Sequence, residues 1–127
     1  MSKMILVFLG SGLGGALRYS VMDKVQRLAG ATFPLGTLVV NLVGCFLIGF
    51  LGAALTGRIL IREEYRIALI VGVLGGFTTF SAFGMETFAF LNNGQFARAT
   101  ANVLLSVVIG VSAVWIGYRL AQSWPGV

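Results

Sequence analysis

Four apolar runs, each near the roughly twenty residues that a helix needs to cross a bilayer, are joined by short connectors. They read Met4 to Leu17, continuing past Arg18 to Met22; Leu35 to Gly57; Ile67 to Met85, continuing past Glu86 to Leu91; and Ala99 to Tyr118. A chain of 127 residues that is 57% hydrophobic and 10% charged cannot hide that much apolar surface in a water-soluble core. The expected fold is an all-α membrane protein, one domain over residues 1–127 with four transmembrane helices at 4–22, 35–57, 67–91 and 97–120. Its solvent is a lipid bilayer. A cleaved signal is the competing reading of the first run, because Lys3 precedes 14 apolar residues. Ser11, Gly12, Gly14 and Gly15 interrupt that run, Arg18 follows it, and no A-x-A site is clear, so a packed first helix fits better.

The third run contains its own contradiction. Gly72 to Phe83 reads G-V-L-G-G-F-T-T-F-S-A-F, and Gly75-Gly76 followed by Thr78-Thr79 is poor helix material. Hydrocarbon punishes an unpaired backbone group by several kcal/mol, so a break near 75–79 must line a cavity or bind something. Phe77, Phe80 and Phe83 recur at i, i+3, i+6 along whatever helix survives. Gly10 with Gly14, and Gly72 with Gly76, form G-x-x-x-G pairs that let backbones approach closely.

Polar residues inside the other runs follow helical spacing. Thr37 and Asn41 with Gly44 form one stripe on the second helix, and Asn102, Ser106, Gly110, Ala113 and Gly117 form another on the fourth. An intramembrane Asn should face protein or water. Interhelical bonding is the simple role for either Asn, whereas two stripes beside a broken helix favour a pathway. That pathway carries little fixed negative charge, since Glu86 is the only acid within the spans. Amide N–H, hydroxyl O–H and the electropositive edges of Phe rings all suit an anion.

The charge count adds a topological argument. Nine basic residues face four acidic ones, and four helices put both termini and the middle loop on one side. Lys3, Arg58, Arg62, Arg66 and Arg119 then lie opposite Arg18, Lys24, Arg27 and Arg98, which gives the positive-inside rule little to act on. Either the chain inserts both ways and forms an antiparallel dimer, or one orientation is fixed by other features. The chain has no His, Cys45 is alone, and Asp23, Glu63 and Glu64 read as loop carboxylates. No nucleophile set or metal cluster can be assembled, so an enzyme is not expected and no residue is assigned as catalytic. Nothing interleaves basic and aromatic residues in the manner of a nucleic-acid binder.

Gly36-Thr37-Leu38 with Asn41 and Gly44, the G-G-F-T-T-F-S-A-F run and the first-helix G-G-A-L-R-Y together resemble the CrcB/Fluc family of small fluoride channels. The likeness covers essentially the whole chain. It implies an antiparallel dual-topology homodimer in the inner (plasma) membrane, passive export of fluoride, and resistance to its toxicity. It also implies one structural Na+ at the dimer interface, held by the backbone carbonyls of Gly75 and Thr78. Phe80 and Phe83 fall on the phenylalanines that line the family's fluoride path, Asn41 on its pore-facing amide and Ser81 on a track hydroxyl. Thr37, Asn102 and Ser106 join that path through the stripes. Arg18 and Glu86 match vestibule positions, and Phe77 keeps a packing role. Ala82 departs from the commoner T-T-F-S-T-F pattern and removes one hydroxyl. Two other classes compete: a small multidrug-resistance-type exporter of cations, which would need a carboxylate deep in the first helix, and a non-transporting assembly subunit.

Overall fold

The computed structural model describes residues 2–57 and 59–125. Four helical spans run Lys3–Ala29, Leu35–Gly57, Glu63–Asn92 and Phe96–Ser123, each long and apolar enough to cross a membrane. The first goes further than its apolar run. Sequence polarity ends that helix at residue 22, but the backbone continues to Ala29 and takes Asp23 out of the connector. Polar residues at a membrane surface can stay helical, and here Arg27 pairs with Asp23 one turn earlier at 3.0 Å. Gly30 at φ 57° then closes the helix in the left-handed conformation that glycine adopts freely. Gln26 holds the turn that follows. Its Nε2 donates to the carbonyls of Ala31 at 2.7 Å and Phe33 at 3.0 Å, and its Oε1 accepts from the Gly36 N–H at 3.1 Å.

The third span starts at Glu63 rather than residue 67, because Glu63 and Glu64 suit the positive end of a helix. Its end at Asn92, and the fourth span's limits at Phe96 and Ser123, also lie beyond the apolar stretches. Lys3 bridges to Glu63 at 3.1 Å, which sets the N-terminal end beside the start of the third span. Arg98 donates to Thr32 Oγ1 at 3.0 Å, which joins the start of the fourth span to the first connector at the opposite end. Arg58 lies outside the described residues.

Small residues decide how the spans pack. The first span crosses the front half of the third where Gly10 and Gly14 meet Gly72 and Gly76. A Cβ at Gly10 would sit 2.6 Å from the Ala68 carbonyl oxygen, and one at Gly76 would sit 2.5 Å from that of Ser11. Neither is sterically possible without separating the backbones. The second and fourth spans approach in the same way through Gly49 and Gly117. The protein interior is thin, with Val40, Leu74 and Phe77 among its buried residues, while Phe8, Leu13 and Val108 stand exposed as a lipid solvent requires.

The third span is interrupted, at a narrower place than glycine content suggests. Ala68–Leu74 is wound as a π-helix, Gly75–Phe77 is α-helical, Thr78 and Thr79 are extended, and Phe80–Asn92 is α-helical again. The glycine pair therefore stays helical and the threonines carry the break. Gly76 serves the close approach to Ser11, and the extended conformation falls on a β-branched residue that tolerates it well. Phe77 ends on the far side of the break from Phe80 and Phe83 and is buried, so the three rings do not share one helix face.

Candidate functional site

The break survives in an apolar setting because its backbone is paired to a side chain. Thr79 N–H donates to Asn41 Oδ1 at 2.7 Å, and Asn41 Nδ2 donates back to the Thr79 carbonyl at 3.0 Å. One amide thus replaces both backbone partners that a continuing helix would supply at that residue. Thr79 also caps the helix that follows, its Oγ1 accepting from the Ala82 N–H at 3.2 Å. Thr78 turns its hydroxyl back to the Leu74 carbonyl at 3.1 Å, and its methyl group occupies the space that Gly44 leaves open. The second-helix stripe predicted from sequence is therefore a seam: Thr37, Asn41 and Gly44 all face the third span.

These bonds free two carbonyls. In an unbroken helix the Thr79 N–H would serve Gly75 and the Ala82 N–H would serve Thr78, but both are committed to side chains. The oxygens of Gly75 and Thr78 are left without those donors beside a cavity of about 360 Å³ that both residues line. Oxygen donors without charge suit a hard monovalent or divalent cation. Among the described residues no group of His, Cys, Asp and Glu forms an alternative metal site.

The cavity brings together much of what the sequence singled out. Asn41, Phe80, Phe83 and Ser106 lie on its wall with Gly75 and Thr78, and none of the described residues that line it has a charged side chain. The Phe80 and Phe83 rings are 5.5 Å apart at a 40° tilt, and Phe80 is 82% exposed on the open side. Ser81 is exposed, with its Oγ 3.4 Å from Thr79 Oγ1. Both π-helical stretches contribute to the wall, Ala68–Leu74 through Ile70 and Leu74, Leu105–Ile109 through Ser106 and Val107. Local rewinding of this kind often marks working parts of a helix, and sequence periodicity carries no sign of it.

Other expected residues lie elsewhere. Asn102 is 2% exposed and is not on the cavity wall; its Nδ2 donates to Thr87 Oγ1 at 3.0 Å. Thr37 donates its hydroxyl to Glu86 Oε1, while Glu86 Oε2 is buried with no hydrogen-bond partner among the described residues. This pair opens into a second pocket of about 470 Å³ at the connector end, shared with Tyr19, Asp23, Gln26 and Thr32. Arg18 is half-buried and does not line that pocket, although its neighbour Tyr19 does. Two basic groups bond to residues of the pocket wall, Arg98 to Thr32 and Arg27 to Asp23, and sequence reasoning gave neither a role there. Thr87 was missed as well, since a lone Thr in a spanning helix gives no signal by itself.

Comparison with known proteins agrees with the architecture. A family model described as CrcB-like protein, camphor resistance (CrcB), matches residues 5–118. A protein of Solibacter usitatus is 47% identical over 120 residues, 94% of this chain and 98% of its own length. One of Opitutus terrae is 46% identical over 124 residues, covering 95% and 93%. One of Helicobacter pylori is 44% identical over 130 residues, covering 98% and 99%. All three relatives bear the name fluoride-specific ion channel.

Proposed function

The chain belongs to the CrcB-like family, and from that membership we propose that it is a fluoride-specific channel through which the ion leaves the cytoplasm passively. The observation that carries the reading is the uncharged, partly polar cavity at the break, lined by one amide, three hydroxyl-bearing residues and two phenylalanines. Fluoride is small and tightly hydrated, so a pore must replace its water and still release it. A Lys or Arg side chain in the constriction would trap the ion. Several weak positive ends avoid that: the second N–H of Asn41, the Ser106 hydroxyl and the ring edges of Phe80 and Phe83. Thr37 and Glu86, at the connector-end pocket, form the approach. The net flow protects the cell by removing fluoride that entered as HF.

The working unit of this proposal is an antiparallel homodimer in the inner (plasma) membrane, inserted in both orientations. Its support is the even division of basic residues between the two sides and the open flank of the cavity at Phe80. The carbonyls of Gly75 and Thr78, deprived of helical donors, fit a sodium ion between the two copies. Such an ion would supply a fixed positive charge that ties the breaks together. Within the protomer those oxygens are already held in place by the Asn41 clamp and the Thr79 cap.

The exporter reading is not sustained. The relatives of the chain are named as fluoride channels, and among the described residues no carboxylate lines the central cavity to receive a cation. Efflux from liposomes loaded with fluoride, chloride or a quaternary ammonium compound tests the assignment. Rapid fluoride loss with chloride and ammonium retained is expected; loss of chloride at a similar rate refutes it.

A further inference from the structure

Thr79, Phe83 and Thr87 are spaced four apart, so they lie in one line along the segment that follows the break. Both threonines are tied to other spans, and Phe83 is between them. At one end Asn41 clamps the Thr79 backbone from the second span. At the other, Thr87 Oγ1 donates to the Phe83 carbonyl at 2.8 Å and accepts from Asn102 Nδ2, on the fourth span, at 3.0 Å. A threonine bonding back to the carbonyl four residues earlier is ordinary in a helix. Here the same hydroxyl is also filled by an amide from a neighbouring span, and that amide is among the most buried polar groups of the protein. An Asn at that depth is costly unless its bonds are made, so its place is defined closely. Hydrogen bonds in such a series also polarise one another.

We infer that Asn102 and Thr87 are a positioning pair for the pore: through the Phe83 carbonyl they fix the height and rotation of the Phe83 ring against the cavity. Neither touches the ion's path. The pair matters because Phe80–Asn92 has few other anchors, packing chiefly on the start of the fourth span and only lightly on the second. A ring edge that must displace water from a small anion tolerates little wobble.

The inference rests on the fluoride-channel reading for its flux readout, and a second readout is independent of it. Thr87→Val keeps the side-chain shape and removes both bonds, Thr87→Ser keeps both bonds, and Asn102→Leu removes the donor. Each is reconstituted, and each is labelled with para-fluorophenylalanine at position 83 for fluorine NMR. Thr87→Val and Asn102→Leu are expected to lower fluoride flux per folded protein by roughly ten-fold, with the position-83 resonance shifted or split. Thr87→Ser should restore both readouts, and the Thr87→Val/Asn102→Leu double variant should be no worse than either single one. Unchanged flux and resonance in Thr87→Val overturn the inference, as does a fall in thermal stability alone. Where the parent passes no fluoride, the channel reading fails, and an unchanged resonance or a shifted one still decides whether the pair holds Phe83.

Discussion

Replacing Asn41 with Leu keeps roughly the same side-chain volume and removes both hydrogen bonds that make the break possible. Thr79 is 5% exposed, so its N–H and carbonyl have no easy substitute in water. A buried backbone group left unpaired costs about 1–3 kcal/mol, which puts the two groups at ~2–6 kcal/mol for the broken segment. Water entering from the adjoining cavity of about 360 Å³ pulls the figure to the lower end. A local loss of ~2 kcal/mol still raises the population of the opened segment about thirty-fold. Hydrogen–deuterium exchange in detergent reads this directly: peptides containing Thr79 should exchange faster by that order, while peptides around Gly49 and Gly117 stay at parent rates. Fluoride flux should fall in parallel. Exchange at Thr79 within about three-fold of the parent, in a variant that folds, would mean that Asn41 does not hold the break.

Phe80→Ile and Phe83→Ile retain bulk but lose the ring edge, so fluoride efflux should fall severely while the size-exclusion profile of the protein is kept; parent-rate efflux in both would remove the rings from the path. Glycine contrasts separate the two sides of the break. An added Cβ at Gly75 meets nothing nearer than the Ile70 oxygen at 4.0 Å, whereas one at Gly76 overlaps Ser11, so Gly76→Val should lose folded protein and Gly75→Val should fold but lose flux. Full flux in Gly75→Val would argue against a cation on that carbonyl. A Cys placed near the C-terminus in a Cys45→Ala background should label about equally from both faces of the membrane, and labelling from one face alone would refute dual insertion.

The four spans and their order were legible because hydrocarbon leaves so few alternatives to an apolar helix. Helix ends were less legible, since the change from apolar to polar marks the lipid surface while the backbone answers to capping and turn geometry. Asp23 to Ala29 illustrates this: polarity says connector, and the Arg27–Asp23 pair with the Gly30 cap says helix. The existence of the break was also legible, but glycine propensity placed it too broadly. Gly75 and Gly76 answer to open space and close packing, and the threonines take the extended backbone because Asn41 pairs with it. The stripes gave the right faces and a mixed set of roles. Ser106 reaches the cavity, Asn102 reaches Thr87, and Gly117 serves packing against Phe46. Equal periodicity cannot distinguish these, because the outcome depends on what the opposite span presents at each level.

The case for a second copy is a matter of solvent. A lone protomer in lipid would leave the open flank of its cavity, at Phe80 and Val107, to acyl chains. Asn41, Ser106 and the freed oxygens of Gly75 and Thr78 would then border hydrocarbon, where each unsatisfied polar group costs several kcal/mol. Apolar packing gives little return for that cost, because lipid tails cover Phe and Val as well as protein does. The polar groups therefore supply the drive to exclude lipid. In the antiparallel dimer proposed above, a partner that offers the same set in reverse would satisfy it, placing carbonyl oxygens opposite carbonyl oxygens where a cation would neutralise their repulsion. Pairing of this kind depends on the break itself. If the proposed dimer forms, a variant that re-forms a continuous third helix should retain its four spans yet pair more weakly, so that on dilution of the detergent-solubilised protein it dissociates at higher concentration than the parent; equal dissociation of the two would refute the dependence.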